Sequence, residues 1–298
     1  MKVALHSVSY SGAWPGQAVL SMEKVIDKAA AFGYDGVELV GKRPHASPMD
    51  MTKDDRKRLK DYIAARNLEL PCLAGYFDFS HDLTHGDMPK LQKELLWMRE
   101  TLQLAADLGA PYVRTYSGSY YENIAYKQQW DWCLQGLRES AKMAEDLGVT
   151  LALQNHSEIT VHYQDVLQMI QEVGSPNLKA DIDCPFLQVC GAPIEEAVRK
   201  VGGLLVHSHM SDHYWRPMLQ WVPPGHSGYY HVTRWSAALL GEGEVDYRTF
   251  VRALKSVGYQ GYLSYEICGA IPGGGAEENL DAAARKALAF VRGLLAEL

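Results

Sequence analysis

One unit recurs along the chain: a segment with helical spacing of apolar residues ends at a glycine, and a short apolar strand follows. Glycine can adopt the left-handed conformation that ends a helix. The residues at these helix ends are Gly33, Gly109, Gly148, Gly174, Gly202 and Gly258, with Asn67 in the equivalent place of another unit. Together with a first strand at residues 3–8, the predicted strands are 36–40, 68–74, 111–115, 150–155, 178–182, 204–210 and 261–267.

Eight strands that alternate with helices predict a parallel sheet, which closes naturally into a (β/α)₈ barrel. Residues 1–298 are expected to form this single barrel domain, since no boundary interrupts the cycle. An open doubly wound sheet is the rival architecture. No GxGxxG motif follows the first strand, so a dinucleotide-binding fold has no support. Helix starts are indicated by Ser21, by Thr52 with Asp55, by Pro89 and by Asp246.

The sequence disfavours two classes of partner, nucleic acid and the membrane. The net charge of −7 and the absence of a long basic run disfavour nucleic acid. No window has the eighteen or so apolar residues that a membrane span needs. The chain has five cysteines without CxxC spacing, which is typical of reduced thiols, so we expect a cytoplasmic protein.

The longest stretch outside the cycle, residues 213–243, is rich in aromatic side chains and contains two further histidines, His226 and His231. A long segment after a barrel strand is usually functional or disordered, and the aromatic content argues against disorder. We expect its residues 213–235 to close over the substrate. Packing or an oligomer contact is the alternative.

Four neighbouring strands end with a polar residue of ligand type: Gln154, Asp183, His209 and Glu266. A carboxylate or imidazole in an apolar strand is costly unless it is paired or bound to a metal. The carboxyl ends of barrel strands carry the chemistry of this fold. Two carboxylates, one imidazole and one amide oxygen favour a divalent cation. Mn²⁺ is the first choice, with Mg²⁺, Co²⁺ or Zn²⁺ as alternatives.

At these residues the chain resembles the sugar isomerase/epimerase superfamily of xylose-isomerase-like barrels, which includes ketose 3-epimerases, hydroxypyruvate isomerase, inosose dehydratase and endonuclease IV. The similar segments are 33–39 (GYDGVEL), 206–212 (VHSHMSD), 240–247 (LGEGEVDY) and 258–266 (GYQGYLSYE). The resemblance implies metal ligands Glu, Asp, His and Glu on strands five to eight. Three match, whereas the fifth-strand Glu is replaced by Gln154, and Phe186 replaces a histidine that commonly follows the sixth-strand Asp.

The replacement bears on the chemistry, because an amide oxygen can bind a metal but cannot take up a proton at neutral pH. The replacement therefore weakens the case for epimerisation by two carboxylate bases. Glu266 and His156 are the predicted acid/base pair instead. The resemblance implies that Arg216 contacts the substrate. Other polar residues predicted to bind the substrate are His6, Arg114, Asn155 and His213.

The predicted function is therefore a metal-dependent isomerase or epimerase that abstracts a proton beside a carbonyl of a small sugar or keto-polyol. One alternative is a lyase, either a keto-polyol dehydratase or a C-glycoside deglycosidase acting on 3-keto glycosides. The chain is a possible homo-oligomer, or would need a small accessory subunit if it is a deglycosidase. Another alternative is a non-catalytic barrel that binds metal and sugar. An endonuclease IV-like DNA-repair enzyme is disfavoured by the acidic balance and by Gln154.

Overall fold

The chain folds into a closed barrel of eight parallel strands, seen in a computed structural model that describes residues 1–81, 89–156, 159–222 and 228–298. The first barrel strand pairs with both the second and the last, which closes the ring. The (β/α)₈ barrel is thus confirmed, and an open doubly wound sheet is excluded. The strands are β1 (Lys2–His6), β2 (Gly36–Val40), β3 (Cys72–Ala74), β4 (Tyr112–Thr115), β5 (Thr150–Gln154), β6 (Leu178–Asp181), β7 (Leu205–Met210), β8 (Asp212–Val222), β9 (Gly228–Ala238) and β10 (Tyr262–Tyr265).

Helices surround the barrel and cover the outward-facing side chains of its strands. They are α1 (Met22–Phe32), α2 (Lys53–Ala64), α3 (Lys90–Leu108), α4 (Tyr126–Asp146), α5 (Tyr163–Val173), α6 (Cys184–Val189), α7 (Ile194–Val201), α8 (Tyr247–Ser256) and α9 (Glu277–Glu297), with short 3₁₀ turns at Ser7–Tyr10 and Gly202–Leu204. None of the helices in the described ranges is long and apolar enough to cross a bilayer.

The predicted helix starts at Ser21, Thr52 and Asp246 are confirmed by their hydrogen bonds, whereas Pro89 directly precedes α3 without a side-chain hydrogen bond. The Ser21 hydroxyl accepts from the amide of Lys24 at the start of α1. Thr52 and Asp55 form a complete capping box at the start of α2. Gly33 ends α1 in the left-handed conformation, with a φ of 91°. These local signals fix where each helix begins or ends, and so where each barrel strand can start.

Two predicted segments differ from the structure. The third strand is shorter than predicted, because Pro71 directly before Cys72 has no amide hydrogen for the sheet. Residues 213–243 are largely an antiparallel ribbon, in which Asp212 pairs with Ala238 at the base of β8 and β9. Proline is tolerated within β8 because each strand of a two-stranded ribbon keeps one free edge. His226 lies outside the described residues.

Candidate metal centre and active site

The carboxyl ends of β5, β6 and β7 bring three of the predicted ligands into direct contact. Gln154, Asp183 and His209 are almost completely buried. The Gln154 amide nitrogen donates to Asp183 Oδ2 and lies 3.1 Å from His209 Nδ1. His209 Nδ1 lies 3.4 Å from Asp183 Oδ1, which also accepts from the His209 amide at 2.7 Å. These three side chains therefore share one small volume inside the barrel mouth.

Glu266 follows β10 directly and lies beside His6, outside the group of ligand atoms that Asp181, Asp183 and His209 form. Its Oε2 is 4.0 Å from His6 Nε2, and the side chain keeps 13% of its surface exposed. Burial raises the pKa of Glu266 to about 7, with Asp183 and Glu38 adding to the effect and His209 and Arg114 opposing it. A carboxyl group with a pKa near neutrality can both accept and release a proton.

The His209 ring is enclosed by carboxylates on both of its nitrogen atoms. Nδ1 faces Asp183 and also lies 3.3 Å from Asp181 Oδ2, while Nε2 lies 3.0 Å from Glu38 Oε1. Burial alone would lower the pKa of His209, but Glu38, Asp181 and Asp183 together raise it well above the ordinary value. The ring therefore sits where positive charge is strongly stabilised.

The charges of this cluster fit a divalent cation. Four carboxylates, those of Glu38, Asp181, Asp183 and Glu266, lie around the guanidinium of Arg114 and the imidazole of His209, whose pKa is raised. Neither Asp181 oxygen has a hydrogen-bond partner within the described part of the chain.

The ligand atoms of Asp181, Asp183 and His209 all lie within 4.8 Å of one another. Carboxylate oxygens with one imidazole are donors that Mn²⁺ and Mg²⁺ accept. The residues present therefore fit the predicted metal.

Gln154 presents its amide in a definite direction. Arg114 Nη1 donates to Gln154 Oε1 at 2.9 Å, so the amide nitrogen is the atom that faces Asp183 and His209. Coordination through the oxygen requires the amide to turn by half a rotation and to release Arg114. That Gln154 is a metal ligand therefore stays a prediction, and Arg114 is the residue that competes for its oxygen.

His156, the predicted second acid/base, lies in the turn after β5 rather than on an extended strand. Its ring packs 4.7 Å from the Tyr116 ring and 4.8 Å from the Phe186 ring, measured between centroids. Burial, followed by the positive charge of Arg114, lowers the pKa of His156 to about 4. The imidazole is therefore uncharged at neutral pH. It can accept a proton from a strongly acidic group, or hold one transiently during a reaction.

The predicted substrate-binding residues occupy different places. His6 lies beside Glu38 and Glu266, at 4.0 Å from each. The Asn155 side chain bonds both the carbonyl and the amide of Asp183, so it braces the end of β6. His213 is buried, 3.1 Å from the Ser211 hydroxyl.

Arg216 lies on the ribbon and forms an ion pair with Glu244, with 54% of its side chain exposed. The structure does not bring its guanidinium into the buried cluster, because β8 carries it outward on the ribbon. The predicted contact of Arg216 with a substrate therefore has no support in this arrangement.

Three buried residues of the cluster were not assigned from the sequence: Glu38, Asp181 and His207. Glu38 Oε2 lies 2.9 Å from His207 Nε2. Each of the three is a buried polar side chain within a barrel strand, so the cost of burying a lone polar group was the signal that could have found them.

Aromatic rings cover this cluster at the barrel mouth. Phe186 packs 5.4 Å from Trp235 of the ribbon, and Trp235 packs 5.0 Å from the His213 ring. The ribbon thus contributes at least one large apolar side chain to the aromatic group that contacts His213 and Phe186.

The chain matches the family model described as xylose isomerase-like TIM barrel over residues 26–294. Fructoselysine 3-epimerase of Escherichia coli O157:H7 is 26% identical over 262 residues, covering 85% of this chain and 87% of that protein. Inosose dehydratase of Clostridium perfringens is 21% identical over 259 residues, covering 83% and 82%. The crystal structure of D-psicose 3-epimerase with D-tagatose, from Clostridium cellulolyticum H10, superposes with a TM-score of 0.75 at 19% identity and covers 99% of both chains.

These comparisons confirm the predicted class, an enzyme of the isomerase, epimerase or lyase type. The solved structure, at this level of identity, supports the fold alone.

Proposed function

Because the chain belongs to the xylose isomerase-like TIM barrel family, we propose that it is a divalent-metal-dependent ketose epimerase or isomerase. The observation that carries this proposal is the cluster at the carboxyl ends of the barrel strands, in which Asp183 and His209 are buried and in contact. Glu266, 13% exposed, follows β10 and interacts electrostatically with both. The reaction class follows the epimerases among its relatives, and the substrate is a small sugar with a carbonyl group.

Asp183, His209 and Glu266 would bind the cation, with Gln154 as the fourth ligand if its amide turns. The cation, when bound, would polarise the substrate carbonyl and stabilise negative charge on its oxygen. Glu266 would remove the proton from the carbon beside the carbonyl, since its carboxylate follows β10 directly and keeps 13% of the side chain exposed toward a substrate.

Gln154 cannot act as the opposing base. His156, uncharged at neutral pH, is the remaining group that could carry a proton on the side of β5. Arg114, which faces Gln154 and is fully buried, would orient a substrate oxygen there.

A deuterium-exchange screen tests the proposal. Protein loaded with Mn²⁺, Mg²⁺ or Co²⁺ is incubated with ketoses, keto-polyols and 3-keto glycosides in D₂O, and the products are followed by NMR. Deuterium at one carbon together with an isomeric sugar is the expected result. Loss of water or of an aglycone would identify a lyase instead, and metal-dependent sugar binding without exchange would identify a binding protein.

Asp183→Asn is the matching variant. It should lose both the metal and the exchange, because it removes a charged ligand at the centre of the cluster. Metal content equal to that of the wild type would refute the assignment of the site.

Several finer points belong to the same proposal. Mn²⁺ is the expected metal. Residues 1–298 form a single domain. The protein acts in the cytoplasm, a reducing compartment in which five unpaired cysteines remain thiols. No nucleic acid takes part, a homo-oligomer is compatible with this function, and a small accessory subunit is needed only if the reaction is C-deglycosylation.

A further inference from the structure

We propose that Glu38 is a positioning residue of this metal centre: its buried carboxylate orients His209 so that Nδ1 faces the cation. This inference rests on the proposed function, because it concerns how one ligand of that centre is oriented. Glu38 lies on β2, whereas the four predicted ligands lie on or directly after β5, β6, β7 and β10. It therefore joins the opposite part of the barrel to the site.

The first support is that both oxygens of Glu38 are engaged by imidazoles. Oε1 lies 3.0 Å from His209 Nε2, and Oε2 lies 2.9 Å from His207 Nε2. All five residues of β2 are buried, and Glu38 has no exposed surface. Each ring that donates from Nε2 satisfies one oxygen of a carboxylate that would otherwise be costly to bury.

The second support is the direction in which the other nitrogen of His209 points. Nδ1 faces Asp183 Oδ1 at 3.4 Å and the Gln154 amide at 3.1 Å. An imidazole that binds a cation through Nδ1 must carry its proton on Nε2, and Nε2 is the atom beside Glu38. A carboxylate that accepts this proton fixes the ring orientation and makes the ligating nitrogen more basic.

His207 completes the arrangement from the same strand as His209. The two rings meet edge to face, with centroids 4.9 Å apart. Because His207 donates to the other oxygen of Glu38, the carboxylate cannot rotate away from His209 without losing a buried hydrogen bond. Glu38 is thus held by one histidine while it orients the next.

A competing placement makes Glu38 itself a ligand. The ligand atoms of His6, Glu38 and His209 also lie within 4.8 Å of one another. A cation there would bind His209 through Nε2 and would break its hydrogen bond to Glu38. The two arrangements therefore differ in which ring nitrogen carries the metal and which carries the proton.

The experiment measures metal affinity and ring protonation together. Metal-stripped wild type, Glu38→Gln and the control Glu145→Gln, an exposed carboxylate on α4, are titrated with Mn²⁺ against a chelator. Glu38→Gln should bind one equivalent about 10–100-fold more weakly, while the control should match the wild type. Glu38→Asp, which keeps the charge, should recover part of the affinity.

Nitrogen-15 NMR of the histidine-labelled wild type with Zn²⁺ supplies the second readout. We expect a metal-bound Nδ1 and a protonated Nε2 at His209, a signature that a merely structural role of Glu38 would not require. This measurement needs no variant, so it stands even if Glu38→Gln fails to fold.

The outcomes separate the two proposals. A wild type that binds no metal would refute the proposed function. A wild type that binds metal, with Glu38→Gln binding equally well, would overturn only the role of Glu38. Metal on Nε2 of His209 would also overturn it and would make Glu38 a ligand.

Discussion

Replacement of Gln154 by Glu introduces the carboxylate that the family resemblance implies at this position, and the structure indicates how much stability the change would cost. The oxygen of the amide accepts from Arg114 at 2.9 Å, and its nitrogen donates to Asp183. In Gln154→Glu the first contact becomes charge-assisted. The second places two buried carboxylates against each other, with no proton between them.

The two effects are unequal in the metal-free protein. Two like charges about 4 Å apart repel by about 4 kcal/mol at an effective dielectric constant of 20. Loss of the amide donor to Asp183 destabilises the folded protein by about another 1–3 kcal/mol, and the stronger hydrogen bond to Arg114 stabilises it by about 1 kcal/mol. Since the pair can relax or share a proton, we expect a net loss of about 3 kcal/mol in the free energy of unfolding. A bound cation should cancel most of this loss of stability, because it neutralises the repulsion between the two carboxylates.

Urea unfolding at pH 8 measures this difference, once in EDTA and once in saturating Mn²⁺. Gln154→Glu should be less stable than the wild type by about 3 kcal/mol in EDTA, and by less than about 1 kcal/mol with metal. Gln92→Glu, an exposed change in the first turn of α3, is the control and should be neutral in both buffers. Equal stability of Gln154→Glu and wild type in EDTA would show that residue 154 does not face Asp183.

Three further predictions follow from the same region. His156→Ala should lower kcat by about 10²–10⁴-fold at unchanged metal content, and a full kcat in a steady-state assay would leave Glu266 as the sole base. Trp235→Ala should raise KM about tenfold, near 1.4 kcal/mol of lost ring contact, without altering the metal; an unchanged KM would assign the ribbon to packing. Burial lowers the pKa of His213 from 6.5 to about 4, so between these values the unfolded chain binds a proton that the folded protein does not. The free energy of unfolding therefore falls as the pH drops through this window. In urea unfolding of the metal-free protein at pH 7 and at pH 4.5, His213→Gln should reduce this fall by up to about 2.4 kcal/mol. The same pH dependence in both proteins would show that the folded protein protonates this ring.

The architecture could be predicted because its signals are local. Ser21 and the Thr52–Asp55 box cap their helices as predicted, and glycine ends each of α1, α3 and α5. Helix and strand alternate so regularly that the order of elements implies the parallel barrel. The ribbon of β8 and β9 was not predicted, because its strand pairing depends on contacts between residues up to twenty-six positions apart.

Part of the site depends on contacts that no local pattern contains. Asp183, Gln154 and His209 were predicted together because their strands are neighbours in the sheet. Glu38 lies 169 residues before His207, on a strand that is not its neighbour, and the two meet only through the barrel interior. The orientation of the Gln154 amide likewise depends on Arg114, a side chain on β4. Periodicity gives neither of these contacts.

The contact between Glu38 and His209 has a consequence for how the chain can be divided. All the predicted ligands lie in the second half of the sequence, from Gln154 onward, so a fragment beginning near residue 148 would contain every one of them. Such a half-barrel would lack the acceptor for His209 Nε2 and the guanidinium beside Gln154. Complementation by a separate fragment of residues 1–147 should therefore be required before the half-barrel binds metal tightly. A circular permutant opened between the two halves, in contrast, keeps both and should retain the site.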